Sequence, residues 1–251
     1  MNAQPVALWL RRAQPLLGTL VEIGVFAPGV DRHAGVDTAF AVVREAQACL
    51  SYFEPGSDIA RFNALRRGES LRVRPITQQV LAAAQTLRDL TDGEFDISLG
   101  SAPDGWALRG AALCKLHDAA RLDLGGIGKG HAVDLAVQAL AGHGVSAGWV
   151  NAGGDLRAFG DVDAPVQLRI EATGGVRAFA TLRDGAFATS HFTHASRSRL
   201  AASARATSPS AHASVAAPLC VWADALTKLV ALSGNTSHPL LARFDARAWL
   251  H

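Results

Sequence analysis

Four segments of the chain carry more glycine and acid than packing alone requires. The first covers residues 121–134, RLDLGGIGKGHAVD. A strand is expected to end on Asp123; glycines and Lys129 follow, and a helix begins. Such a bend presents backbone N–H groups and a helix N-terminus to an anion, with an ammonium nearby. A tight strand-to-helix turn without a ligand is the plain alternative, and the spacing matches neither a P-loop nor GxGxxG. The second segment, VNAGGDLRAFG at 150–160, offers Gly153 and Gly154 for close backbone approach and Asp155 to orient a ligand group; an ordinary β-turn accounts for it equally well. The third, TDGEFDISLG at 91–100, follows a common Asp92-Gly93 turn with Phe95 and Asp96. An aromatic beside a carboxylate suits a flat polar ring, or a loop with one core anchor. The fourth, WADALTKLVAL at 222–232, places Asp224, Thr227 and Lys228 at i, i+3 and i+4 on one helix face. A carboxylate and a hydroxyl there could bind a hard cation such as Mg²⁺. Alternatively, Asp224 is a first-turn carboxylate favoured by the helix dipole and paired with Lys228.

Other chemistry finds little support. The nine histidines show no HExxH or comparable spacing. His191 and His194 lie close together beside Ser190, but Ser190 lacks the GxSxG setting of a nucleophile elbow.

These segments need elements to position them. The 251 residues are 49% hydrophobic and 18% charged, enough for a sizeable core and against disorder. The expectation is one domain spanning 1–251. Lys and Arg number 24 against 22 Asp and Glu, a formal charge of +2, which argues against a dedicated polyanion binder. Mean hydropathy is +0.15, and no apolar run is long enough for a bilayer. Cys49, Cys114 and Cys220 stand apart without a CxxC pair, as expected of buried thiols in a reducing compartment. The first residues lack the pattern of a signal peptide, so the expected location is cytoplasmic.

Periodicity predicts a strand at 16–26, a helix at 37–50 with Asp37 as its cap, and a capped turn at Ser57-Asp58. A helix follows at 77–90, a short strand at 122–124 and a helix at 129–140. Short strands are expected at 148–151, 156–159, 166–171, 176–182, 187–189 and 215–217. A helix at 223–232 ends near Gly234, and 241–250 is a strand or irregular. The Ala/Ser/Arg-rich stretch 196–213 reads as a mobile loop. Helices and strands mix without strict βαβ alternation, so the fold class is α+β.

Taken together and in this order, the segments resemble the ApbE family of FAD:protein FMN transferases. The carriers are LLGTLVEI, LSYFEPGSDIARFN, GEFDISLG, LDLGGIGKGHAVD, GWVNAGGDLRAFG, FATS and ASVAAPLCVWADALTKLVALSG, spanning about Leu16 to Gly234. The resemblance implies an α+β flavin-transferase fold with mixed or antiparallel sheets, FAD as substrate and Mg²⁺. It also implies an acceptor flavoprotein whose Thr hydroxyl attacks the FMN phosphate as AMP leaves. Phe53, Glu94, Phe95 and Asp96 would line the flavin or adenine pocket, with Leu17 where the family has Met, and Asp123 and Lys129 would touch FAD. The Gly126 carbonyl, Asp224 and Thr227 would bind the metal. The chain departs from the family in three respects. Lys228 stands where the family has Thr, and its ammonium could occupy the cation site and neutralise phosphate itself. Residues 196–213 lack the family's His-rich Asp-Pro-x-Thr-Gly segment. The family is commonly exported, whereas no export signal is read here. A flavin-binding homologue without transferase activity and an FAD pyrophosphatase are the competing expectations.

Overall fold

Strand β2 (Thr19–Phe26) shows how the sequence builds the frame. Val21, Ile23 and Val25 alternate with more exposed neighbours and are fully buried, the period-two pattern of a sheet with one face on a core. In the computed structural model, which describes residues 9–27, 30–170, 173–192 and 212–251, β2 pairs with an edge strand, β1 (Trp9–Leu16). The expected single strand over 16–26 is therefore corrected. Leu17 and Gly18 form a two-residue hairpin turn, both at positive φ (55° and 70°), as a type I′ turn requires. The polar look of WLRRAQPL conceals β1; its Arg11 and Arg12 reach out to Glu22 and Asp37.

Helix α1 (Arg32–Leu50) starts five residues before the expected 37, because Asp31 rather than Asp37 caps it, accepting from the His33 and Ala34 N–H groups. Ser57 caps α2 (Asp58–Ala64). Next come β3 (Ser70–Arg72), α3 (Pro75–Leu90), β4 (Trp106–Arg109) and β5 (Ala112–Lys115). The three short strands form an antiparallel sheet in the order β3-β5-β4. Residues 122–124 are not a strand. The Asn63 side chain pairs with both backbone groups of Leu122 (2.7 and 3.0 Å), and the Asp123 N–H donates to the Ile97 carbonyl (2.8 Å). An amide side chain thus takes the place of a partner strand.

Helix α4 (Gly128–Gly142) leads into β6 (Ala147–Ala152), β7 (Asp155–Phe159), β8 (Ala164–Ile170), β9 (Gly175–Leu182), β10 (Gly185–His191) and β11 (His212–Ala217). Helix α5 (Cys220–Ser233) ends on Gly234 in the left-handed conformation, a common helix stop. The expected strand or irregular stretch at 241–250 resolves into α6 (Pro239–Arg243) and β12 (Arg247–Leu250). The expected loop 196–213 lies outside the described residues except for His212 and Ala213, which begin β11.

Seven strands form one antiparallel sheet in the order β1-β2-β6-β7-β10-β11-β12, and β8 and β9 pair as a separate hairpin. The fold is α+β. One core lies between β2, β6, α1 and α4; a second gathers α2, α3, the small sheet and the segment around Leu122. Helix α5 serves both, sending Cys220 and Ala223 into the first and Leu226 and Leu229 into the second. Such a helix is apolar nearly all round, so its buried Asp224, Thr227 and Lys228 demand partners. All three cysteines are free, with Cys49 and Cys220 buried and Cys114 half-buried. Among the described residues, no helix is long and apolar enough to cross a membrane.

Candidate functional site

The glycine bend and the last helix meet. The N–H groups of Ile127 and Gly128 both return to the Leu124 carbonyl, which turns the chain sharply into α4. No side chain of that turn caps α4; instead Asp224 of α5 accepts the Gly130 N–H (3.1 Å). The reverse also holds, because Asp134 of α4 accepts the N–H groups of Cys220 and Val221 (3.0 and 2.9 Å) at the start of α5. Each helix therefore supplies the carboxylate that satisfies orphan donors of the other. The crossing needs a glycine, since a Cβ on Gly130 would lie 2.3 Å from the Cys220 carbonyl oxygen. Asp224 is not in the first turn as expected; it sits one turn inside α5, fully buried.

Four charged side chains follow one another beneath the bend. Lys129 pairs with Asp155, and Lys228 pairs with Asp224. The Lys228 ammonium also donates to the Asp224 carbonyl (3.0 Å) and to Ser190 Oγ (2.9 Å). Thr227 Oγ1 donates to the Asp224 carbonyl (2.6 Å) and lies 2.8 Å from Ser190 Oγ. Burial opposes the charge on Asp224, but Lys228, Lys129 and the Gly130 N–H outweigh it and hold the carboxyl below its ordinary range. Burial and the facing Asp224 push Asp155 up to about 6 against the pull of Lys129. Burial likewise opposes the Lys129 charge, yet Asp155 and Asp224 raise its affinity for the proton.

Above this charge chain opens a cavity of about 380 Å³, within the range of small-molecule sites. Leu17 and Gly18, the end of α1, the loop 51–54, the stretch Asp123 to Gly125, and Gly128 and Lys129 line it. Ser51 Oγ accepts the Phe53 and Glu54 N–H groups (both 3.1 Å) and so shapes the loop. That loop carries Tyr52 and Phe53 edge to face, 5.3 Å apart, and Phe53 is 85% exposed. Asp123 Oδ1 accepts the Gly125 N–H (2.8 Å), which fixes the carboxylate at the rim of the bend. Lys129, with its side chain 32% exposed, joins cavity to charge chain.

Of the expected site residues, Leu17, Phe53, Asp123 and Lys129 line this cavity. Gly126, Asp224, Thr227 and Lys228 lie beneath it; a Cβ on Gly126 would come 3.2 Å from Lys228 Cε. The third segment is placed differently. Phe95 is buried in the second core, Asp96 accepts from Ser98 and Gly100 within its own turn, and Glu94 is exposed outside the lining. The loop still serves the site from behind, because its Ile97 carbonyl holds Asp123. Sequence reasoning missed Gln47, which accepts the Leu17 N–H (2.7 Å) and donates to Glu54 (2.8 Å), tying hairpin to aromatic loop. It also missed Asp134 as a cap. A signal for Gln47 existed in its place one turn before the helix end, on the side of Leu50 and Ser51.

Mg²⁺ finds a poor fit among these donors. Ligation by Asp224 and Thr227 would place a divalent ion where the Lys228 ammonium already spends its protons on Asp224 and Ser190. Among the described residues, no group of three or more His, Cys, Asp or Glu is arranged to hold a metal.

An antiparallel α+β frame thus brings the aromatic loop, the start of α4 and the Lys129 ammonium to one cavity. The chain belongs to the ApbE family, whose model matches residues 17–248. It is 25% identical over 206 residues to the FAD:protein FMN transferase of Treponema pallidum (strain Nichols), a match covering 66% of this chain. The chain spans only 57% of that relative's length. The fold is that of the flavin transferase ApbE from Vibrio cholerae, matched in its H257G mutant with a TM-score of 0.81 at 20% identity over 97% of this chain and 93% of the other. The ApbE protein of Thermotoga maritima matches with a TM-score of 0.81 at 21% identity over 96% and 94%.

Proposed function

We propose that the chain transfers FMN from FAD to the hydroxyl of a Thr in an acceptor flavoprotein, releasing AMP. The observation that carries this reading is the cavity between Phe53 and Lys129 in a chain of the ApbE family, together with a relative named FAD:protein FMN transferase. The aromatic loop suits a flat ring by stacking. The Lys129 ammonium, at the start of α4 on the cavity wall, suits a diphosphate by charge. The acceptor oxygen forms a bond to the FMN phosphorus, the bridging P–O bond breaks with its electron pair going to AMP, and the hydroxyl proton passes to solvent. An ammonium already oriented by Asp155 stabilises the charge that develops on the leaving phosphate with little reorganisation. Mg²⁺ assistance is what the family resemblance implies, but in this chain the Lys228 ammonium occupies the donors the metal would need.

One observation favours a second reading, a flavin-binding protein without transfer. Asp224 is fully committed to Gly130 and Lys228, as in a purely structural cap. Incubation with FAD, with and without candidate acceptors, separates the two when AMP, free FMN and covalent flavin are scored together. Covalent flavin with matching AMP supports transfer. Tight FAD binding with no AMP from any acceptor rejects it, and free FMN without an acceptor identifies hydrolysis.

A further inference from the structure

The three oxygens around Lys228 Nζ are a backbone carbonyl, a carboxylate and a hydroxyl: Asp224 O, Asp224 Oδ1 and Ser190 Oγ. This is the donor chemistry of a hard cation, and it matches the three N–H groups of an ammonium one for one. Thr227 Oγ1, which would be a ligand in an open site, is turned to the Asp224 carbonyl and Ser190. The Lys228 stem runs beneath Gly126, where the missing Cβ leaves it room. Two carboxylates, Asp155 and Asp224, face two ammonium groups, Lys129 and Lys228, so the cluster is formally neutral and holds no surplus negative charge for a divalent ion.

We propose that Lys228 is a resident cation: its ammonium fills the oxygen cage that a divalent metal would otherwise need, so that no metal binds at Asp224. Lys228 is a positioning residue. It holds Asp224, Asp224 caps Gly130, and the cap fixes the start of α4 under the cavity. As regards the diphosphate above the bend, the inference rests on the FAD reading, and it adds that FAD binds there without a divalent ion.

The test is direct titration of the whole chain with Mn²⁺ in the absence of FAD, with free Mn²⁺ read by electron paramagnetic resonance, for the parent and Lys228→Thr. The expected result is no stoichiometric binding by the parent and one Mn²⁺ per chain for the variant, with a rise in its thermal midpoint on adding Mn²⁺. Should Lys228→Thr fail to fold, Lys228→Gln presents an amide oxygen in a similar volume. The parent should also bind FAD equally well in EDTA and in Mg²⁺. One Mn²⁺ on the parent that is lost in Asp224→Asn overturns the proposal. So does a drop of about tenfold in FAD affinity under EDTA, or failure of both folded variants to take Mn²⁺. Loss of the transferase reading is seen separately, as absent AMP and covalent flavin, and leaves the Mn²⁺ result standing.

Discussion

Replacing Lys228 by Met should unfold the protein more easily than almost any other single change that keeps core volume. Asp224 is 0% exposed and Lys228 5%, so solvent screens neither charge. Methionine retains most of the stem against Gly126, and the cavity cost is therefore small. What remains is a buried carboxylate held by the Gly130 N–H and by the Lys129 charge, which is already paired with Asp155. Breaking one side of a buried pair costs about 3–5 kcal/mol, and for a chain of this size that is on the order of 10 °C in thermal midpoint. Urea unfolding followed by tryptophan fluorescence measures it. Adding Asp224→Asn should restore part of the loss, because a neutral amide accepts from Gly130 without leaving an unpaired charge. The coupling between the two changes should be about 2 kcal/mol, as for residues in direct contact. If Lys228→Met stays within about 1 kcal/mol of the parent, or if the two changes simply add, the buried-pair argument is wrong.

Three further changes test other parts of the site. Gly130→Ala drives a Cβ into the Cys220 carbonyl and should cost about 3 kcal/mol in urea unfolding by prising α4 from α5. Phe53→Ala, at a side chain 85% exposed, should leave stability within about 0.5 kcal/mol. It should nonetheless weaken FAD about tenfold in a flavin fluorescence titration, the value of one stacked ring. Lys129→Met should weaken FAD by roughly 10- to 100-fold, the worth of a hydrogen bond to a charged group, and unchanged affinity by calorimetry would remove Lys129 from the diphosphate.

The sequence made the site's ingredients legible where local chemistry decides structure. The glycines after Asp123 read as a bend into a helix by their clustering; none of them is at positive φ, and what they supply is room, at Gly126 for the Lys228 stem and at Gly130 for α5. Asp224, Thr227 and Lys228 read as one face because helical spacing is rigid. The start of α1 did not read, because Arg32 to Gly35 lack an apolar rhythm and Asp31 and Asp37 are equally plausible caps by type. The small sheet of β3, β4 and β5 did not read, since strands of three or four residues carry little periodicity and exist by pairing with distant partners. Residues 122–124 misread for the opposite reason: their pattern is that of a strand, but the ladder is supplied by Asn63, fifty-nine positions away.

The reciprocal caps explain why the central pair of helices could be recognised and yet not understood from sequence. Asp134 and Asp224 each resemble surface acids on their own helix. Their meaning appears only when Gly130 lets the helices touch, because contact places each carboxylate over the other's unsatisfied N–H groups, 94 residues away for Gly130 and Asp224. Once Asp224 is fixed there, a buried negative charge exists and some cation must answer it. A divalent ion and an ammonium are two solutions to the same electrostatic demand. In this chain the spacing of four residues along α5 puts Lys228 within reach of that carboxylate, so the helix that creates the charge also answers it.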